Sequence, residues 1–285
     1  TVLVLRGGKG TGKNTLLDAV VEMFGQHGIA ISNQAHLVGH FNAHLHGRAF
    51  LFANEAVPPG DKAAESRLKA LITDPVLVIE RKGINAEPEV NALSIAMATN
   101  EAWCVPATGD ERRYCVIDVA KHAVGRVSYW SALHAEMSNG GKAAMLHDML
   151  ALELGDWHPR RDVPATIALG EQKLASLRGA DRHVRDLLQA GEAPDGYQQP
   201  APPAGREGGL FVATQIWAST LRYRGEMRVL RQALEAAGGE ARRARIGPQS
   251  LRGYWLPPLA EARARWSDET GIDCAWATDG GWLSD

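Results

Sequence analysis

Cysteine is scarce in this chain, and what there is does not pair. Cys104, Cys115 and Cys274 are three among 285 residues, odd in number and widely separated. No C-x-x-C spacing occurs, so neither a thiolate zinc site nor a disulfide framework is indicated, and a reducing cytoplasm is the expected compartment. An excess of charge is also missing. Lys and Arg number 31 against 33 Asp and Glu, a formal net charge of −2. That balance gives no global pull towards nucleic acid, so any such attraction has to be local. No apolar run approaches the roughly 20 residues that span a bilayer, and no signal peptide is recognisable, so no membrane partner is expected. With 45% apolar residues the chain has ordinary means to bury one large or two smaller cores.

What is present begins at once. Val2-Leu3-Val4-Leu5 reads as a buried strand, Arg6 to Gly12 as a glycine-rich turn, and Leu16-Leu17-Asp18-Ala19-Val20-Val21 as a helix. Gly7 to Gly12-Lys13 fits the phosphate-loop pattern G-x-x-x-x-G-K. Glycines let such a backbone curl so that its N–H groups face phosphate oxygens, and the helix opening at Lys13 adds its positive end. Lys13 would meet the β and γ phosphates as a point charge. The predicted nucleotide set is Gly7, Gly8, Lys9, Gly10, Thr11, Gly12, Lys13, Asn14 and Thr15, with ATP and Mg2+ as ligands. One position departs from the pattern: the magnesium-binding hydroxyl that normally follows the lysine is replaced by Asn14, with Thr15 one later. Either Asn14 Oδ1 or Thr15 Oγ1 meets the metal. The competing reading, a chance glycine turn, is weakened by the strand before and the helix after. Because a domain seldom opens on its central strand, an upstream segment is expected.

A second anchor is Arg48-Ala49-Phe50-Leu51-Phe52-Ala53-Asn54-Glu55, an apolar strand with polar residues at its exit. This is the shape of a Walker B segment. Glu55 would orient the attacking water, and Asn54 stands where an aspartate usually contacts magnesium. With Asn14, it softens both protein contacts to the metal. A buried strand with an incidental polar exit is the alternative. His36, His40 and His44 recur at intervals of four, but no carboxylate or cysteine completes a metal set, and loop histidines are the better default.

Residues 61–74 read as a helix, and Val76-Leu77-Val78-Ile79-Glu80 as a strand leading into the basic turn Arg81-Lys82-Gly83. That turn is either a hairpin tip or a solvated loop. Ser94 to Thr99 is a further apolar strand, ending at Asn100, which is suited to contact a γ-phosphate or the attacking water. Arg112 and Arg113 precede the strand Cys115–Val119; they either pair with Asp110 and Glu111 or act as an arginine finger.

In this order the motifs of residues 1–120 resemble the ATPase core of a superfamily 3 helicase, a branch of the AAA+ proteins. Among these, the resemblance is to phage primase-helicases of the deep-sea vent phage primase-polymerase type. It continues through Trp130, Gly140-Gly141, Trp157-His158-Pro159-Arg160 and Pro164-Ala165-Thr166 to Glu171-Gln172-Lys173 and Ser176-Leu177. The resemblance implies an α/β P-loop core with a central parallel sheet. It implies a ring, expected to be a homo-hexamer, with ATP between subunits, and an upstream primase or polymerase domain. Lys13, Glu55 and Asn100 would be catalytic, with an arginine of the neighbouring subunit, Arg113 first and Arg112 second. The Arg81-Lys82 hairpin would grip single-stranded DNA. If phage-encoded, the protein would work in the cytoplasm of a bacterial host.

Residues 121–190 are read as a helical extension, in which Trp130, Leu133, Met137, Met145, Leu146, Met149, Leu150 and Leu152 supply apolar positions. The proline- and glycine-rich stretch 191–209 is read as a linker. Beyond it, Phe211–Tyr223 and Glu226–Ala237 read as helices, followed by Gly238-Gly239, a basic run and a hairpin at Gly253-Tyr254-Trp255-Leu256. This suggests a winged-helix-like unit over 210–285. Residues 210–265 hold ten arginines against four glutamates, a net of +6. An excess of that size is either a nucleic-acid face or a set of solvated helix faces. Three functions remain in view: a DNA helicase motor, a nucleotide-binding assembly module with little hydrolysis, and a P-loop kinase.

Overall fold

The computed structural model describes residues 1–33, 36–37, 39, 41–54, 61–192, 199–202, 207–214, 227–276 and 281–282. It divides into two units, residues 1–107 with 111–172, and residues 108–110 with 173–285.

The first unit is a mixed α/β structure around a parallel sheet of five strands. These are β1 (Val2–Arg6), β2 (Gly28–Ile31), β3 (Phe50–Asn54), β6 (Ser94–Thr99) and β7 (Tyr114–Asp118), in the spatial order β2-β3-β6-β1-β7. Parallel sheets are covered on both faces, which is why these strands read as unbroken apolar runs. Alternation along each strand divides them between two clusters. Val2, Val4, Leu51, Ala53, Ile95 and Met97 face α2 (Lys62–Thr73), which contributes Ala64, Leu68, Leu71 and Ile72. Leu5, Phe50, Phe52, Ala96 and Ala98 face α1 (Lys13–Met23), which contributes Leu17, Val20 and Val21. Helix α2 is capped by Asp61, whose side chain accepts hydrogen bonds from the N–H groups of Ala63 and Ala64.

The turn at Arg81-Lys82 is a hairpin tip. β4 (Val76–Ile79) and β5 (Glu87–Val90) pair antiparallel as a separate two-stranded ribbon. After β7 come α3 (Val127–Glu136) and α4 (Lys142–Ala151), joined by a π-helical segment that is broken at Asn139 and at Gly140, whose φ is 93°. None of the residues of these two helices is buried, and Met149, Leu150 and Leu152 are exposed. Helix α5 (Ile167–Ser176) ends the first unit at Gln172 and opens the second at Lys173.

The second unit contains α6 (Gly179–Ala190), β8 (Leu210–Ala213), α7 (Met227–Ala236), β9 (Glu240–Ile246), β10 (Gln249–Leu256) and α8 (Leu259–Thr270). The strands form an antiparallel sheet in the order β8-β10-β9. Helices α6, α7 and α8 share a core with Leu210, Val212, Tyr254 and Leu256 on one face of that sheet. Phe211, Ala213, Leu251 and Trp255 form a smaller cluster on the other. The helix expected from Phe211 is therefore corrected at its start: Leu210–Ala213 is a strand. Four consecutive apolar residues do not distinguish a strand from a buried helical turn, and here burial on both faces of the sheet decides. Residues 215–226 lie outside the described residues, as do Glu55, His40 and parts of the proline-rich stretch.

All three cysteines are free, and burial raises the pKa of each thiol, that of Cys104 to about 12. Among the described residues no helix is long and apolar enough to cross a membrane.

Candidate functional site

The parallel register brings the carboxyl ends of the central strands to one edge. Arg6 at the end of β1 is level with Thr99 on β6 and Asp118 on β7, and Asn54 on β3 is level with Ala98. The glycine-rich loop Gly7–Gly12 leaves β1 at this edge. Its first amide, Gly7 N–H, donates to the Thr99 carbonyl at 3.1 Å, fastening the loop to the strand that delivers Asn100. Gly10 and Gly12 have φ of 76° and 93°, values that side-chain-bearing residues adopt at a cost, which explains the glycines. Thr11 Oγ1 donates to the Gly8 carbonyl at 3.0 Å and closes the curl.

Lys13 begins α1 and points back into the loop. Its Nζ is 2.6 Å from the Gly7 carbonyl oxygen, 2.8 Å from that of Gly8, 3.3 Å from Thr11 Oγ1 and 3.0 Å from Asn100 Oδ1. The lysine is 6% exposed, and desolvation lowers its pKa. A cation held in such a site by neutral acceptors gains most from an anion, because charge-assisted hydrogen bonds are the stronger kind. No acidic residue occupies the first turn of α1, so no carboxylate of the helix competes there. Asn14 is exposed and Thr15 half-buried on that turn; Asn54 is half-buried at the end of β3. These are neutral oxygen donors. They suit a magnesium ion whose remaining ligands are phosphate oxygens and water.

Two contacts at this edge are not legible in the sequence. Arg6 forks onto Asp118 at 2.6 and 2.7 Å, also meets Glu171, and donates to the Ala102 carbonyl at 3.1 Å. The pairing raises the Arg6 pKa and lowers that of Asp118. It ties β1, β7, α5 and the segment after β6 together beside the loop. The second feature is Trp130 of α3, whose indole lies on Gly12. A Cβ added at Gly12 would stand 2.3 Å from Trp130 Cη2, and one added at Gly10 would stand 3.7 Å from a methyl of Val124. Trp130 Nε1 donates to the Ala123 carbonyl at 2.9 Å, which sets the ring. The segment after β7 thus runs along the glycine-rich loop.

Residues Thr166 and Gln172 hold that edge in place. Thr166 Oγ1 donates to the Val116 carbonyl of β7 at 2.6 Å and accepts from Leu169 N–H at 3.1 Å. Gln172 is fully buried; its Oε1 accepts from Cys104 N–H at 2.7 Å and its Nε2 donates to the Ala102 carbonyl at 2.8 Å.

The arginine pair is elsewhere. Val2 N–H donates to the Arg113 carbonyl at 2.6 Å, so Arg112 and Arg113 sit at the amino ends of β1 and β7, across the sheet from the loop. Arg113 Nη1 is 2.6 Å from the carboxylate of the buried Glu111. Arg112 is exposed, with no polar partner among the described residues. On the hairpin, Arg81 pairs with Glu87 at 3.2 Å and Lys82 is exposed at the tip. Of the histidines, His44 Nε2 donates to the His36 carbonyl at 2.8 Å, and no metal-holding cluster occurs among the described residues.

Residues 5–113 match a family model described as a family of unknown function, DUF5906. The chain is similar to the DNA primase-polymerase of Nitratiruptor phage NrS-1, with 30% identity over 118 residues. That match covers 40% of this chain and 16% of the relative, so only a small part of the relative is represented. Two solved apo structures of the NrS-1 C-terminal region share the fold. One, of residues 305–718, has a TM-score of 0.63 at 19% identity, covering 90% of this chain and 67% of that one. The other, an A form, has a TM-score of 0.62 at 18% identity, with coverages of 90% and 66%.

Proposed function

We propose that the chain is the ATP-dependent helicase module of a phage-type primase-helicase, with an AAA+ superfamily 3 core. It hydrolyses ATP between copies arranged as a ring, expected to be a hexamer, and moves on single-stranded DNA. The observation that carries this reading is the contact between Lys13 of the phosphate loop and Asn100 of the neighbouring strand. A lysine suited to bind phosphate and an amide suited to read the γ-phosphate are the pairing that a nucleotide-hydrolysing site needs. The similarity to a phage DNA primase-polymerase supports the biological setting.

In this reading the loop amides and Lys13 hold the phosphates, and Asn100 orients the γ-phosphate and the attacking water. Mg2+, held by Thr15 or Asn14, by Asn54 and by phosphate oxygens, would neutralise charge on the phosphates. Glu55, outside the described residues, would take the proton of the attacking water. The hairpin tip with Lys82 grips DNA, and Arg81 is braced by Glu87. The sheet of the second unit acts as a winged-helix-like DNA face. Residues 191–209 would serve as the linker, and 1–120 as the core.

Glu55→Gln tests the assignment: it should bind ATP as the native chain does and not turn it over. Turnover at the native rate would remove Glu55 from the mechanism. The second reading, a nucleotide-binding assembly module, is favoured by Asn14 and Asn54, which leave the metal without an aspartate at either position. Binding of ATP with no hydrolysis under any DNA condition would select it.

A further inference from the structure

The chain leaving β7 keeps pace with the chain leaving β1. Val119 N–H donates to the Arg6 carbonyl at 2.7 Å, continuing the pairing of the two strands past Asp118. From there, residues of one segment meet glycines of the other in the same order. A Cβ built on Gly7 would stand 3.0 Å from the Val119 carbonyl oxygen, and one on Gly8 would stand 3.8 Å from Cε of Lys121. One on Gly10 would stand 3.7 Å from Cγ1 of Val124, and one on Gly12 2.3 Å from Cη2 of Trp130. Residues 119–130 therefore form a strap along the whole loop.

The strap is braced along its length. Val124 N–H donates to the Lys121 carbonyl at 3.0 Å, and Arg126 N–H to the Ala123 carbonyl at 3.2 Å. The carbonyl of the buried Ala123 also accepts from the indole Nε1–H of Trp130 at 2.9 Å. Further on, Lys142 at the start of α4 pairs with Glu22 near the end of α1. The strap thus starts from the strand beside β1, and the helices that continue it are tied back to the helix that follows the loop.

The composition of the loop gives this bracing a purpose. Four of the six residues from Gly7 to Gly12 are glycine. Glycine loses more backbone freedom on ordering than any other residue, so a free loop of this kind would have to be ordered by its ligand, at the expense of affinity. The Gly7 N–H bond to Thr99 and the Thr11 Oγ1 bond to Gly8 fix the beginning and middle of the curl. At Gly12, which precedes α1 with a φ of 93°, no side chain supplies a capping hydrogen bond. The open side of that residue meets the edge of the Trp130 indole instead.

We propose that Trp130 is a positioning residue for nucleotide binding: seated on Gly12, it holds the loop in its phosphate-ready curl before the ligand arrives. This rests on the reading of the loop as an ATP site. Trp130 acts through the loop backbone and not on the nucleotide itself, so the gain belongs to the phosphate chain and is independent of the base.

The test uses the whole chain with Trp130→Ala and Trp130→Phe. Trp130→Ala should weaken binding of a fluorescent ATP analogue about 10-fold, the ordering cost of roughly one backbone residue. Inorganic triphosphate, measured by its displacement of the analogue, should be weakened by the same factor. Turnover at saturating ATP should stay close to native, so that the loss shows in KM and not in kcat. Trp130→Phe keeps a ring on Gly12 and should restore most of the affinity. The chain has eight tryptophans, and the one at 130 lies on the loop. Part of the emission change on adding inorganic triphosphate to the native chain should therefore be missing from Trp130→Phe. Native affinity for both ligands in a cooperatively unfolding Trp130→Ala chain overturns the proposal and leaves Trp130 a packing residue of α3. Weaker ATP binding with native affinity for inorganic triphosphate also overturns it, and would place the indole against the base. Should Trp130→Ala not fold, the Trp130→Phe comparison decides, and an identical emission change in the two chains overturns the proposal. Failure of the ATP reading looks different: the native chain itself would bind neither ligand, or Lys13→Ala would bind both equally well.

Discussion

The Nζ of Lys13 is 3.0 Å from Oδ1 of Asn100, joining residues 87 positions apart at the carboxyl edge of the sheet. The two meet because β6 lies beside β1 in the sheet, with Thr99 level with Arg6. That makes Asn100 the residue placed to report what Lys13 binds.

Distinct outcomes follow for two substitutions of Asn100. Asn100→Ala should leave ATP affinity nearly native and lower turnover by about 100-fold. Asn100→Asp should instead weaken ATP binding, because a carboxylate at this distance would occupy the ammonium that the phosphates need. Titration with a fluorescent ATP analogue and steady-state hydrolysis separate the two. Equal affinities for the Ala and Asp variants would remove Lys13 from phosphate binding.

The same lysine gives the site a pH dependence. Desolvation lowers its pKa below 10.5 in the ligand-free protein, and bound phosphate would raise it again. Between those two values the bound form holds more protons than the free form. Affinity should therefore be constant below the lowered pKa and fall as pH rises through the window above it. Lys13→Arg, which stays charged, should show no such fall.

Gly12 is predicted to tolerate no side chain. Gly12→Ala would place Cβ 2.3 Å from Trp130 Cη2 and would hold a non-glycine residue at a φ of 93°. The backbone alone costs roughly 1–3 kcal/mol. A double variant with Trp130→Ala should relieve the clash and not the backbone strain, so thermal unfolding should recover only in part. Full recovery would show that the left-handed conformation is not enforced.

How far these features are legible in the sequence depends on the range of the interaction. The strand, loop and helix from Val2 to Met23 are readable because pattern, glycines and periodicity agree within one short stretch of chain. The basic hairpin tip is readable for the same reason. The order of the strands is not, since a buried parallel strand says nothing of its neighbours. Arg6 gives no local signal because its partners Asp118 and Glu171 are 112 and 165 positions away. Trp130 reads as an apolar position and as one point of the family resemblance; its packing on Gly12 depends on where α3 turns back. Leu210–Ala213 passes for the start of a helix because a short apolar run carries no period.

On the second unit, Arg243 and Arg252 are directly opposite each other on β9 and β10, and Arg245 shares their face. All three are exposed. Opposed like charges destabilise a strand pair, by a few tenths to about 1 kcal/mol, unless an anion lies across them. Arg252→Ala should therefore raise the thermal stability of the free protein at low salt and weaken its binding to single-stranded DNA. The log–log salt slope should fall by about 0.7 for one phosphate no longer neutralised. A stabilised variant with unchanged DNA affinity would make this face a solvated surface.

The central claim, that the loop and Asn100 form a DNA-coupled ATPase, is tested most directly by steady-state ATP hydrolysis with and without single-stranded DNA. The account predicts hydrolysis that rises when DNA is added and vanishes in Lys13→Ala. The contradicting result is a native chain that binds ATP and Mg2+ yet shows no hydrolysis above the Lys13→Ala background at any DNA concentration.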